Sequence, residues 1–161
     1  MPPHSYPERP VPAVAVLVER DGEILMVLRG TPPALKTWSL PGGKMRLGET
    51  ILEAAEREVR EETGVSVQAE RVLTAVDALY EDGSGGILYH YLVVYVCASY
   101  QGGEPEARDD ALDARWVPRA EFDSLVVEAR TRQTIKKIFL NQRRPSSPSS
   151  RPESRACDPS V

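Results

Sequence analysis

A fourteen-residue run, residues 50–63 (TILEAAEREVREET), limits what this chain can become more than any other stretch. Ala, Leu, Glu and Arg dominate it and neither Gly nor Pro interrupts it, so it predicts a helix. Ile51, Leu52, Ala55 and Val59 recur at spacings of three and four and form one apolar stripe for a core. Gly64 stands where a left-handed C-cap belongs. Glu53/Arg57 and Glu56/Arg60 have the spacing of ordinary i,i+4 ion pairs. The last two turns are anomalous. Glu58, Glu61 and Glu62 stand at i, i+3 and i+4 and project from one side, at the helix end whose carbonyls disfavour anions by roughly 0.3–1 kcal/mol each. A solvated acidic face is one reading of the three alone. The other is that a divalent metal supplies the missing cation.

The flanking residues decide between them. Gly43, Glu49, Arg57, Glu58, Val59, Glu61, Glu62, Gly64 and Val65 fill every position of the pattern G-x5-E-x7-R-E-U-x-E-E-x-G-U, with U aliphatic. In this the chain resembles the Nudix family, and the resemblance extends over about residues 12–142. It implies an α/β fold, a mixed sheet between helices in an α/β/α sandwich. It also implies Mg²⁺- or Mn²⁺-dependent hydrolysis of a nucleoside diphosphate linked to another group. Carried over by resemblance, Glu58 and Glu62 are the principal metal ligands and Gly43 adds its backbone carbonyl. Glu61 is a further ligand or the general base. Glu49 is a weaker ligand or an orienting acid. Arg57 holds the Glu61 carboxylate from four residues away. The alternative source of the base is the acidic loop holding Glu104, Glu106, Asp109, Asp110 and Asp113.

Substrate identity lies outside the box. Tyr89-His90-Tyr91, Gly102-Gly103-Glu104-Pro105 and Ala114-Arg115-Trp116-Val117 look like short bacterial members grouped with ADP-ribose pyrophosphatases, so ADP-ribose leads. Longer ADP-ribose enzymes carry a proline where Tyr80 and Glu81 stand, and a tyrosine there is similar to diadenosine polyphosphate hydrolases. Enzymes for oxidised purine nucleotides place an asparagine ahead of the last helix, whereas Asn141 lies near its end. Nucleotide sugars and (d)NTPs stay open, as does a non-catalytic nucleotide sensor.

The chain has 161 residues, 41% of them apolar, enough for one domain with a sizeable core. Its net charge of −4 and the lack of a basic stripe exclude a nucleic acid polymer as partner. No membrane-length apolar run, n-region or h-region is present, and Cys97 and Cys157 form no disulfide pattern, so the expected location is cytoplasmic. The expected partner is a small-molecule nucleotide, and a homodimer is left open. Residues 1–10 predict a flexible arm, 11–143 the domain, and 144–161 a disordered Pro/Ser-rich tail. Within the domain, Ala13–Glu19 and Ile24–Arg29 predict strands joined at Asp21-Gly22. Arg71–Tyr80 and Ile87–Ala98 predict two more strands, the latter central and covered on both faces. Gln101–Arg115 reads as a polar loop, Ala120–Leu125 as a short helix, and Thr131–Asn141 as a helix burying Ile135, Ile138 and Phe139.

Overall fold

A computed structural model describes residues 6–142. The elements are β1 (Val11–Arg20), β2 (Glu23–Arg29), β3 (Trp38–Ser39), β4 (Gly42–Lys44), α1 (Ile51–Thr63), β5 (Ser66–Glu81), β6 (Ile87–Gly102), β7 (Ala111–Pro118), a 3₁₀ turn (Arg119–Ser124) and α2 (Ala129–Gln142). The strands form one mixed sheet in the order β3-β2-β1-β6-β5, with β4 on β1 and β7 on β2. β1 and β6 run parallel, and the other pairs are antiparallel.

Period-two alternation sorts β1 onto two cores. Ala15 and Leu17 pack with Met26, Tyr95, Phe122, Ile135 and Ile138 on the α2 side. Val16 and Val18 pack with Ala55, Val59, Val65, Val94 and Val96 on the α1 side. The sheet is therefore sandwiched between the helices, as the α/β expectation had it. α1 is fixed at both ends: Thr50 and Glu53 make a capping box, and Gly64 takes φ 72°. Val59 is fully buried, a contribution of roughly 1.5–3 kcal/mol that also sets the rotation of the helix and so the direction of its neighbours Glu58 and Glu62.

β1 and β2 pair only beside their turn, at Glu19–Ile24 and Arg20–Glu23, where Asp21 and Gly22 both have positive φ. Beyond it the strands part. β4 takes over β1 at Ala13–Ala15, and β3 takes β2 at Val27 and Leu28. The residues from Trp38 to Lys44 thus carry two short strands that bridge a fork in the sheet.

Other departures have local causes. Residues 111–115, read as loop, are the start of β7, which pairs with β2 alone; its polar composition suits an edge strand. β6 is central between β1 and β5, and Val94, Tyr95 and Val96 are buried on alternating faces. Cover ends toward its start, where Leu92 is 41% exposed. Leu52, expected in the helix stripe, is also exposed. Glu53 and Glu56 make no pair with Arg57 or Arg60: Glu53 caps Thr50, and Glu56 accepts the Ala69 N–H at 2.9 Å. Where a free arm was expected, the Tyr6 hydroxyl donates to Asp82 Oδ2 at 2.8 Å and its N–H to the Leu88 carbonyl at 2.9 Å. Residues 1–5 of that arm and the expected tail at 144–161 lie outside the described residues. No helix among the described residues is long and apolar enough to cross a membrane.

Candidate active site

The fork opens a cavity of about 560 Å³. Its walls are the last turns of α1, β4, the segment following β2, one face of the β5–β6 pair and the start of α2. Glu58 and Glu62, one turn apart, enter it side by side, and each is only 7% exposed. Glu62 Oε2 accepts the Gly42 N–H at 2.9 Å. Burial pushes the Glu62 carboxyl up to about 8, with Asp110 and Glu58 adding to the rise against that hydrogen bond. Burial also raises Glu58, against the pull of its Arg57 hydrogen bond. Two neighbouring carboxylates are thus held out of water without enough cation beside them.

Gly43 fits against this pair. A Cβ there would stand 2.6 Å from the Glu58 carboxyl carbon, so only a residue without a side chain lets the carboxylate lie on β4. Gly43→Ala is expected to lower turnover about a hundredfold, by displacing Glu58 about an ångström. The displaced group is the end of a flexible side chain, so Tm should change little. Wild-type turnover in this variant would show that Glu58 is not needed where it lies.

Glu61 also lines the cavity but is held differently. Its side chain is 37% exposed, and Arg46 Nη2 lies 3.1 Å from both of its oxygens. Arg57 Nη1 bridges Glu61 Oε2 at 3.1 Å and Glu58 Oε1 at 2.6 Å. The same guanidinium donates through Nε to Glu49 Oε2 at 2.8 Å, through Nη2 to the other Glu49 oxygen, and to the Lys44 carbonyl at 3.0 Å. Hydrogen bonding to Arg57 holds the Glu49 carboxyl at about 2, and Glu49 does not line the cavity. Its geometry is that of an orienting acid: Glu49 fixes Arg57, and Arg57 aligns Glu58 and Glu61.

Among the described residues no three His, Cys, Asp or Glu side chains are close enough to hold a metal ion as the chain lies. The residues nonetheless suit one. Glu58 and Glu62 are adjacent, desolvated carboxylates beside the Gly42–Gly43 backbone, an all-oxygen donor set of the kind hard divalent cations take.

The loop from Gly103 to Asp110 closes one side. Its Glu106 and Arg108 N–H groups donate to the carbonyls of Thr63 and Glu62, both at 2.9 Å. The Gly30 N–H donates to the Asp110 carbonyl at 2.9 Å, and the Thr31 hydroxyl to Asp110 Oδ2 at 2.6 Å. Of the five loop acids, Asp109 and Asp110 line the cavity. Glu104 pairs with Arg20 and Glu106 with Arg108, each at 2.8 Å, and Asp113 lies in β7. His90 faces Asp77, 3.6 Å away, and is not in the cavity.

Several lining residues carry no box signal. Arg29 ends β2, where its Nε donates to the Pro33 carbonyl at 3.1 Å. Trp38 is packed under Arg115, whose guanidinium carbon is 4.4 Å from the ring centre. Tyr80, Tyr91 and Arg130 line the cavity as well. For the tyrosines, strand parity was the available signal, since Tyr89, Tyr91 and Tyr95 share one face of β6. Nothing local marks Arg130.

A family model described as NUDIX domain matches residues 9–141. Among curated proteins, the chain is 34% identical over 119 residues to the ADP-ribose pyrophosphatase of Methanocaldococcus jannaschii, covering 70% of this chain and 68% of that one. It is also 34% identical over 113 residues to the mouse 8-oxo-dGDP phosphatase NUDT18, covering 68% of this chain and 32% of the relative, so it spans about a third of that protein. A NUDIX hydrolase structure from Nitrosomonas europaea superposes with a TM-score of 0.69 at 24% identity, over 86% of this chain and 94% of the other.

Proposed function

The chain belongs to the Nudix family of pyrophosphohydrolases, and on that premise we propose that it hydrolyses the pyrophosphate bond of ADP-ribose. One observation carries the reading: a single cavity is lined both by a desolvated Glu58–Glu62 pair and by Tyr80 and Tyr91. A pyrophosphate bridging a nucleoside and a second sugar needs both chemistries. The relative named ADP-ribose pyrophosphatase, alike over most of both chains, favours this substrate.

Glu58 and Glu62, with the Gly43 backbone, would hold Mg²⁺ or Mn²⁺. Such an ion neutralises phosphate charge and acidifies water when bound. The chain's own groups do the rest. Glu49 and Arg57 keep Glu58 and Glu61 in register. Arg29 places a guanidinium at the cavity wall, within electrostatic reach of Glu62, Tyr80 and Tyr91, where it would meet the phosphates. Glu61, Asp109 and Asp110 are the cavity-lining carboxylates to which a water can lose its proton.

A second reading has its own support. The relative named 8-oxo-dGDP phosphatase is equally identical over a similar stretch, which favours an oxidised purine nucleoside diphosphate. A panel of ADP-ribose, 8-oxo-dGDP, diadenosine polyphosphates, nucleotide sugars and (d)NTPs separates the two. The expected result is a kcat/KM for ADP-ribose at least about tenfold above every other, equivalent to about 1.4 kcal/mol of transition-state preference. A lead for 8-oxo-dGDP would replace the first reading with the second.

A further inference from the structure

The cavity wall beside Tyr80 contains an unusual donor. Arg130, in the first turn of α2, lies with its guanidinium carbon 5.1 Å from the centre of the Tyr80 ring. Its Nη2 donates to the Leu79 carbonyl at 2.8 Å. Its Nη1 is buried and has no hydrogen-bond partner. More than nine in ten buried polar groups are paired, and an unpaired donor on a charged group is costly. Among the described residues Trp116 Nε1 is in the same condition, but Trp116 packs beneath Arg20 and does not line the cavity. Arg130 does.

What lies in front of Arg130 indicates the partner. Val76, Ala78 and Val93 give the sheet a small, apolar floor there, flanked by Tyr80 and Tyr91. A flat ring can lie on such a floor and be contacted by aromatic faces. A second phosphate fits poorly, because the Glu128 carboxylate also lines the cavity, lies within electrostatic reach of Tyr80 as Arg130 does, and is held by the Thr131 N–H at 2.9 Å.

We propose that Arg130 is a specificity-determining residue that reads the substrate's nucleobase, its Nη1–H donating to a ring nitrogen or carbonyl oxygen on the base edge. Leu79 anchors the other arm of the guanidinium, so a tilt of the head off Tyr80 presents the free N–H without freeing the side chain. This rests on the cavity being the nucleotide site, but not on which nucleotide is hydrolysed.

Binding of nucleoside monophosphates tests it apart from turnover, because they contain no pyrophosphate bond. AMP, GMP and base-free ribose 5-phosphate are titrated calorimetrically in Mg²⁺ buffer into wild type, Arg130→Ala, Arg130→Gln and Arg130→Lys, with Tm measured for each. Arg130→Ala and Arg130→Gln are expected to weaken the preferred nucleotide at least tenfold. Arg130→Lys should be intermediate, and ribose 5-phosphate should not change. Gln keeps a side-chain stem on Tyr80, so a wild-type Tm with lost affinity excludes a merely structural role. The nucleotide that loses more identifies the base. Unchanged AMP and GMP affinity would overturn the proposal. So would an equal loss for ribose 5-phosphate, which would make Arg130 an anion site, or a wild type that binds neither nucleotide better than ribose 5-phosphate. If the hydrolysis panel fails while the Arg130-dependent affinity persists, the catalytic reading falls and this one stands.

Discussion

Turnover of Glu62→Gln and of Glu58→Gln is expected to fall by roughly a hundred- to a thousandfold or more, since each removes a charge that the transition state requires at a pre-formed position. Stability should move the other way for Glu62. Its carboxyl, pushed up to about 8 by burial, must ionise without solvent above that pH, and Gln keeps an oxygen for the Gly42 N–H without the charge. In chelator at pH 9 the Glu62→Gln protein should therefore melt at or above the wild-type temperature while having lost its activity. Kinetics and thermal melts on the same preparations check both halves. A joint loss of activity and Tm would mean that Glu62 props the fold and that its role in the reaction is unproven. Glu61→Gln, Asp109→Asn and Asp110→Asn, run alongside, locate the proton acceptor: its variant should lose the rise of rate with pH, and the other two should keep it.

Chelation is the second large effect. EDTA should abolish hydrolysis, and Mg²⁺ or Mn²⁺ should restore it; full activity in exhaustively chelated protein would remove the metal from the reaction. Stability gives a signature independent of turnover. The Glu62 carboxyl ordinarily titrates at 4.5 and in the fold at about 8, so the folded chain retains a proton that the unfolded chain has lost. Its contribution is fully present below pH 4.5 and is lost as pH rises to about 8. At about 1.4 kcal/mol per unit, chelated protein should lose up to about 5 kcal/mol over that window, on the order of 10–20 °C in Tm. Added Mg²⁺ must displace the proton, so its stabilisation should grow with pH. A chelated protein whose Tm is flat between pH 5 and 8 would sink this account of Glu62.

Helix α1 was legible because local rules agree there: Thr50 and Gly64 bound it, and Ala55 and Val59 fix its buried stripe. The glutamates' separation was not legible. Three carboxylates on one side of a helix look equivalent in sequence, yet Glu58 and Glu62 face β4, whereas Glu61 meets Arg46 from a loop fifteen residues away. That division depends on what packs opposite each turn. β7 was missed because an edge strand needs little apolar alternation, and its pairing with β2 spans most of the chain. Arg130 was invisible for the same reason. An arginine in the first turn of a helix is unremarkable until Tyr80 and Leu79, some fifty residues earlier, are found beneath it.

The loop that brings Asp109 and Asp110 to the cavity hangs from the carbonyls of Glu62 and Thr63 by two N–H groups. Where the side chain of residue 64 would be, the Arg108 guanidinium lies instead; a Cβ there would stand 2.9 Å from its central carbon. The glutamate helix and the loop are therefore spliced end to side and form one structural unit. A chimera that exchanges residues 103–110 for a homologue's loop while keeping α1 changes the acids facing the substrate only if it keeps both amide contacts and the space over Gly64. Without those contacts, recombination between helix and loop detaches the loop from the helix terminus, so the productive crossover points lie before α1 and in β7, outside the splice.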